Sequence, residues 1–138
     1  DCDFSNAKIN QTAFRDVVFK NCKMIGLSFD DAHSFNISFK FEDCLLNHSS
    51  FYQLDIRKTV FKNCSLQEVD FTEANLSNSF FDDSNMTNAV FDRTILDQAN
   101  LKNAINYSIN PNKNQLKKTK FAIDNLSGLL DYLPIIIE

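Results

Sequence analysis

From Phe41 to Leu101 an apolar side chain falls at every fifth position without a miss: Phe41, Leu46, Phe51, Ile56, Phe61, Leu66, Phe71, Leu76, Phe81, Met86, Phe91, Leu96 and Leu101. Two places before each stands a mostly small residue, such as Cys44, Ser49, Thr59, Cys64, Ala74, Ser84, Thr94 or Ala99. The other positions are largely polar, as in Lys62-Asn63, Thr72-Glu73, Asp82-Asp83 and Asp92-Arg93. A helix repeats every 3.6 residues and a flat strand every 2, so neither fits. One large and one small inward residue in every five fits a chain that turns a corner every five residues. Four such sides close a coil of twenty residues.

The cysteines test this period. Cys2, Cys22, Cys44 and Cys64 are separated by 20, 22 and 20 residues, and Ser84 and Ala104 continue the series. All six are small and fit one interior column if two extra residues enter between Cys22 and Cys44. The string Val-Phe-Lys-Asn-Cys occurs at Val18–Cys22 and again at Val60–Cys64, which is 42 residues on. That distance is two coils plus the same two residues.

Coils stacked at the usual strand spacing of about 4.8 Å put like residues over like. The large columns then read Phe19, Phe41, Phe61, Phe81, Leu101; Phe4, Met24, Leu46, Leu66, Met86; Ile9, Phe29, Phe51, Phe71, Phe91; and Phe14, a disturbed position, Ile56, Leu76, Leu96. Outside the first column, charge alternates through Lys20, Glu42, Lys62, Asp82 and Lys102. Exposed pairs stabilise by only about 0.2–1 kcal/mol each, so this pattern speaks for register more than for stability.

The repeats Ala74-Asn75-Leu76-Ser77-Asn78 and Ala99-Asn100-Leu101-Lys102-Asn103 resemble the consensus of the pentapeptide-repeat family. The resemblance spans about residues 2–105 and implies an all-β fold, the right-handed quadrilateral β-helix. We therefore expect a solenoid of about six coils over residues 1–121, with the two-residue insertion near residues 30–38. There the pattern breaks from Ser34 to Ile37, as a corner bulge or as a short projecting loop that touches a partner. His33 and His48 read as surface residues.

The chain opens inside a repeat. Phe4, Ile9, Phe14 and Phe19 would lie on an open end, which implies further coils before Asp1 or a partner over that end. At the other end the last coil degrades: Asn106 and Pro111 fill slots for large residues, and Leu116 and Phe121 return in phase. Residues 122–138 change character. Asp124 or Asn125 can cap a helix, and Leu126, Leu129, Leu130 and Leu133 form an amphipathic stripe that Pro134 ends. Ile135, Ile136 and Ile137 read as a terminal strand, a hazard unless paired. This segment is expected to cap the solenoid as a short α-helix plus strand and to join two copies through those seven residues.

The run Phe121–Ile137 is similar to the C-terminal module of the quinolone-resistance (Qnr-type) pentapeptide proteins. That resemblance implies a homodimer that mimics DNA and binds a type II topoisomerase, gyrase or topoisomerase IV.

Composition adjusts this picture in a few places. Gly and Pro number two each, few for a chain with so many corners, and Asn is expected to take the corner conformations instead. The net charge of −4 argues against a general nucleic-acid binder, and no direct nucleic-acid partner is expected. Acid gathers late, and Asp70, Glu73, Asp82, Asp83, Asp92 and Asp97 are the candidate partner-binding face. Lys102, Lys113, Lys117, Lys118 and Lys120 make the following segment basic. The cysteines read as core thiols, since a column does not supply converging metal ligands. No nucleophile–base pair, phosphate loop or metal-ligand spacing is visible, so no enzyme activity, cofactor or metal is expected. No signal peptide or membrane span is visible either, and a cytoplasmic protein is expected.

Overall fold

The computed structural model describes residues 1–32 and 37–138. Its regular strands are β1 (Val17–Lys20), β2 (Phe39–Glu42), β3 (Val60–Lys62) and β4 (Phe80–Asp82). They form one parallel sheet in the order β1-β2-β3-β4. Phe19 pairs with Phe41, Phe41 with Phe61 and Phe61 with Phe81. The other three sides are held by isolated parallel bridges, among them Leu45 to Ser65, Ser50 to Asp70 and Asp55 to Asn75. The chain is thus a right-handed square β-helix, with sides named here after their central columns: side 1 at Phe41, side 2 at Leu46, side 3 at Phe51 and side 4 at Ile56.

From Phe39 to Leu101 both inward residues of each repeat are buried, while the first coil is partly open. Phe41, Leu46, Phe51, Ile56, Phe61, Leu66, Phe71, Leu76 and Phe81 are 0% exposed. Sides 1 and 3 each carry a ladder of stacked rings. Phe41, Phe61 and Phe81 follow one another at 5.3 and 5.1 Å, tilted by 8° and 11°. Phe29, Phe51, Phe71 and Phe91 do the same at 4.6, 5.5 and 5.2 Å. The ladders meet edge to face across the interior, as Phe61 does with Phe51 at 6.0 Å and with Phe71 at 5.9 Å. Phe39 stands in register with Val17 on side 1; it is buried, and its ring lies 5.1 Å from both Phe14 and Phe41.

The small inward residues are hydrogen-bonding links as well as fillers. The hydroxyls of Ser49, Ser79, Ser84, Thr94 and Thr119 donate to carbonyls of the preceding coil: Met24, Ile56, Phe61, Phe71 and Leu96. The Cys44 and Cys64 thiols take the same role, toward Phe19 O and Phe41 O. A bond shared with Cys44, and then burial, push the Cys64 thiol up, so it stays neutral. All four cysteines are free. Cys22, Cys44 and Cys64 are buried, but Cys2, expected in the same column, is exposed because its coil is the first.

Corners use the left-handed backbone region at Asn6, Gln11, Asp16 and Asn21, and again at regular intervals from Asp43 to Gln98. Among the described residues, nine of the eighteen non-glycine residues with positive φ are Asn or Asp; the rest are Gln, Glu, Lys, His and Arg. Asn is therefore only one of several corner residues. Tight packing from coil to coil holds long side chains in a conformation that costs roughly 1–2 kcal/mol each.

The insertion enters in two steps. The Asn6 N–H bonds Ile25 O, Gln11 bonds Asp31 O and Val17 bonds Ser38 O, so the offset grows by one residue at each of the last two. A 3-10 turn at Phe29–Asp31 takes up the first. His33, Ser34, Phe35 and Asn36, on which the bulge and loop readings rest, lie outside the described residues.

Candidate partner-binding surfaces

With two of every five residues committed to the interior, surface chemistry belongs to the other three. The six carboxylates expected to form one acidic face are placed on three sides. Asp70 and Asp92 flank the Phe71 and Phe91 slots of side 3, and Glu73 stands at its corner with side 4. Asp82 lies on side 1, opposite, with Asp83 at its corner toward side 2. Asp97 lies on side 4. They form a belt around the rod, not a stripe along it.

Within the belt, Glu73 pairs with Arg93 at 2.9 Å and accepts a hydrogen bond from Gln53 at 2.7 Å. Asp92 lies 3.8 Å from the same guanidinium, and Glu68 pairs with His48 at 2.8 Å. Asp70 accepts the Thr72 N–H and Asp97 the Lys117 N–H. Among the described residues, Asp82 and Asp83 make no ion pair. Of the alternating charges on side 1, Lys20 and Glu42 close to 3.4 Å.

Side 2 is different. From the third coil on, its outward flanks are Leu45, Asn47, Ser65, Gln67, Asn85, Thr87 and Ile105, with no carboxylate among them; Asp3 and Lys23 precede them on the same side. Leu45 is 45% exposed and Ile105 is 51%.

The second candidate surface is the C-terminal end. The expected short helix is present, as a 3-10 segment at Ile123–Leu129 instead of an α-helix. Ala122 occupies the cap with no side-chain cap bond. Asn125 does not cap because its amide donates to Ala104 O at 3.0 Å, and the backbone kinks there. Three residues per turn also break the leucine stripe. Leu129 packs on the core, Leu130 is half-buried, and Leu126 and Leu133 face outward. Ile135, Ile136 and Ile137 form no strand and are 52%, 85% and 57% exposed. With Ile123 and Tyr132 they leave a broad apolar end unpartnered within this chain.

The residues that dock this segment escaped the sequence reading. Tyr107 and Ile109, buried in place of the slot at Asn106, hold it: the Tyr107 hydroxyl donates to Asn125 O at 2.6 Å, and the Ile109 N–H donates to Gly128 O at 3.0 Å. Burial pushes the Tyr107 phenol up. Gly128 lies against the Tyr107 ring, where no side chain fits. The signal was there: Tyr107 and Ile109 are an apolar pair at strand spacing just after the period of five fails.

Among the described residues no cluster of side chains could hold a metal ion, and no helix is long and apolar enough to cross a membrane. A stacked parallel coil with a packed interior and its polar chemistry at outward positions defines a β-solenoid. The chain belongs to the pentapeptide-repeat family: it matches the pentapeptide repeat region over residues 1–71 and pentapeptide repeats in eight copies over residues 64–103. No curated protein sequence matches it.

Its fold resembles that of QnrB1, a plasmid-mediated fluoroquinolone resistance protein. One trypsin-treated QnrB1 variant superposes with a TM-score of 0.82 over 99% of this chain at 17% identity. A second gives 0.61 over 99% at 21% identity. The chain spans 66% of either QnrB1 chain. HetL, a pentapeptide-repeat protein involved in heterocyst differentiation regulation in the cyanobacterium Nostoc, gives 0.47 at 14% identity, over 88% of this chain and 59% of its own.

Proposed function

We propose that this chain acts as a non-enzymatic homodimer. It presents its acidic belt in place of DNA phosphates to a type II topoisomerase, gyrase or topoisomerase IV, and so shields that enzyme from quinolones. The observation that carries this reading is charge density. Residues 68–97 hold seven carboxylates and one base, Arg93, a net of −6. They occupy one and a half coils, about 7 Å of rod at about 4.8 Å per coil. That is about one charge per 1.2 Å, at least as dense as the one per ~1.7 Å of duplex DNA. The likeness in fold to QnrB1 supports the reading, and the exposed Ile135, Ile136 and Ile137 support dimerisation through the C-terminal end.

The test is gyrase supercoiling with and without ciprofloxacin while this protein is titrated. Protection should weaken steeply with added salt and with the combined change of Asp82, Asp83, Asp92 and Asp97 to Asn. Absent or salt-insensitive binding sinks it.

A second reading rests on side 2. From Leu45 to Ile105 its outward flanks carry no charge, and this stretch, with Leu45 and Ile105 exposed, suits a scaffold or regulator that binds another protein through the solenoid. Loss of a recovered partner on Leu45→Ser and Ile105→Ser, with gyrase unaffected, would favour it.

A further inference from the structure

A groove of about 700 Å³ runs along the corner between sides 4 and 1, lined by Lys58, Asn78, Phe80, Gln98, Lys118 and Lys120. Its floor is a product of register. Lys58, Asn78, Gln98 and Lys118 stand on four successive coils, tied by backbone bonds from Lys58 to Ser77, Asn78 to Asp97 and Gln98 to Lys117. Beside them Phe80, Asn100 and Lys120 are bridged in sequence on side 1. Three coil steps place Lys58 about 14 Å from Lys118 along the axis.

Four properties of this groove point the same way. No carboxylate lines it. None of its three lysines makes an ion pair among the described residues. Phe80 shows 43% of its surface, from a strand whose other ring, Phe81, is fully buried. Two side-chain amides sit between the charged ends. Cations at both ends, a bare ring and amide donors and acceptors between them match a chain that alternates phosphate with flat, hydrogen-bonding bases. An acidic peptide would use the lysines but leave Phe80 and the amides without a purpose.

We propose that this groove binds a short stretch of single-stranded nucleic acid, with Phe80 as the stacking platform, Lys58, Lys118 and Lys120 on phosphates, and Asn78 and Gln98 on base edges. This departs from the expectation drawn from net charge. The total of −4 is −6 from residues 68–97 and +2 from the rest, so the sum conceals a cationic corner. The proposal is independent of the topoisomerase reading.

Fluorescence anisotropy of a labelled oligothymidine, titrated with the full chain, tests it. Binding is expected at low salt. Its logarithm should fall against log salt with a slope of about −2, from about −0.7 for each of three lysines. Lys58→Gln, Lys118→Gln and Lys120→Gln should each reduce that slope by about 0.7. Phe80→Ala should lower affinity about tenfold and leave the slope unchanged, a pattern that charge alone cannot produce. No saturable binding at low salt overturns the proposal. So does polyglutamate competing as well as unlabelled oligothymidine, or a triple Lys→Gln variant that binds unchanged.

Discussion

Truncating Phe61 to Ala tests whether stacked coils share one core. The ring is 0% exposed. It lies between Phe41 at 5.3 Å and Phe81 at 5.1 Å, with the edges of Phe51 and Phe71 at 6.0 and 5.9 Å. Its loss removes a partner from four aromatic pairs at once. A buried Phe→Ala change costs about 3–5 kcal/mol. The pair terms of about 0.5–1.5 kcal/mol involve the same atoms, so they push the cost to the upper end of that range without adding to it. The neighbours cannot collapse into the gap, because β2 and β4 hold Phe41 and Phe81 one coil away on either side. About 4–5 kcal/mol is a large share of the 5–15 kcal/mol typical of a domain.

Two further variants bracket the argument. Phe61→Leu should cost only about 1–2 kcal/mol, since Leu101 fills the same column unaided. Phe4→Ala should cost about 1 kcal/mol, because Phe4 is 39% exposed and meets one ring, Phe19, at 6.0 Å. Urea unfolding followed by far-ultraviolet circular dichroism reads all three. At slopes of about 1–3 kcal/mol per molar, Phe61→Ala should lower the midpoint by about 2 M. Each coil touches only its neighbours, so a gap in the middle should also shallow the transition as the two halves uncouple. If Phe61→Ala costs no more than Phe4→Ala, the ring ladder is not what holds the coils together.

Thr94→Val removes the hydroxyl that donates to Phe71 O at 2.7 Å; that carbonyl keeps the Ala74 N–H, so the loss should be about 1 kcal/mol, read from the thermal midpoint. Gln11→Gly should stabilise by about 0.5 kcal/mol, as relief of a left-handed corner at φ 57 outweighs the added chain entropy. Gly128→Ala sets a Cβ 2.0 Å from Tyr107 O, so the C-terminal turn must lift; sedimentation should show the proposed dimer lost while the solenoid's circular dichroism persists. Tyr107 has its folded pKa raised by burial, so the unfolded phenol ionises first. Its contribution is complete below the unfolded value of about 10 and is lost as pH rises through the folded one. Chemical denaturation across that range should show the decline, and Tyr107→Phe should flatten it.

The body of the solenoid was legible because one physical demand recurs at every fifth residue. Phe61, Leu66, Phe71 and Leu76 must each enter the same narrow interior, and Cys44, Cys64 and Ser84 must be small to share it. The reading weakened wherever that demand lapsed. Phe39, two places before Phe41, stands opposite Val17 yet carries a large ring that packs on Phe14, a contact that depends on how two coils meet. At the end of the chain a 3.6-residue stripe was read from Leu126, Leu129, Leu130 and Leu133. Tertiary bonds from Tyr107, Ile109 and Asn125 instead wind a 3-10 turn, and local periodicity does not register such partners. The carboxylates followed a third pattern. Their positions within each repeat were plain, but adjacency depends on side, and side advances by a right angle every five residues. Asp82 and Asp92, ten residues apart, therefore stand on opposite sides of the rod.

That geometry constrains how such a surface can be recognised. The acidic belt at residues 68–97 is followed directly by residues 98–123, which carry five lysines and no carboxylate. The two regions are separated by about one coil, some 4.8 Å, which is shorter than the ~8 Å screening length at physiological ionic strength. Seen from farther away, their fields largely cancel, so the molecule cannot draw a partner in over distance as a uniformly charged duplex does. On the topoisomerase reading proposed above, recognition comes from contact, with a partner surface shaped to meet the belt and to stand clear of the lysines. A rigid coil suits that task, because backbone ladders fix the spacing of every outward side chain before the partner arrives. Less ordering entropy remains to oppose binding.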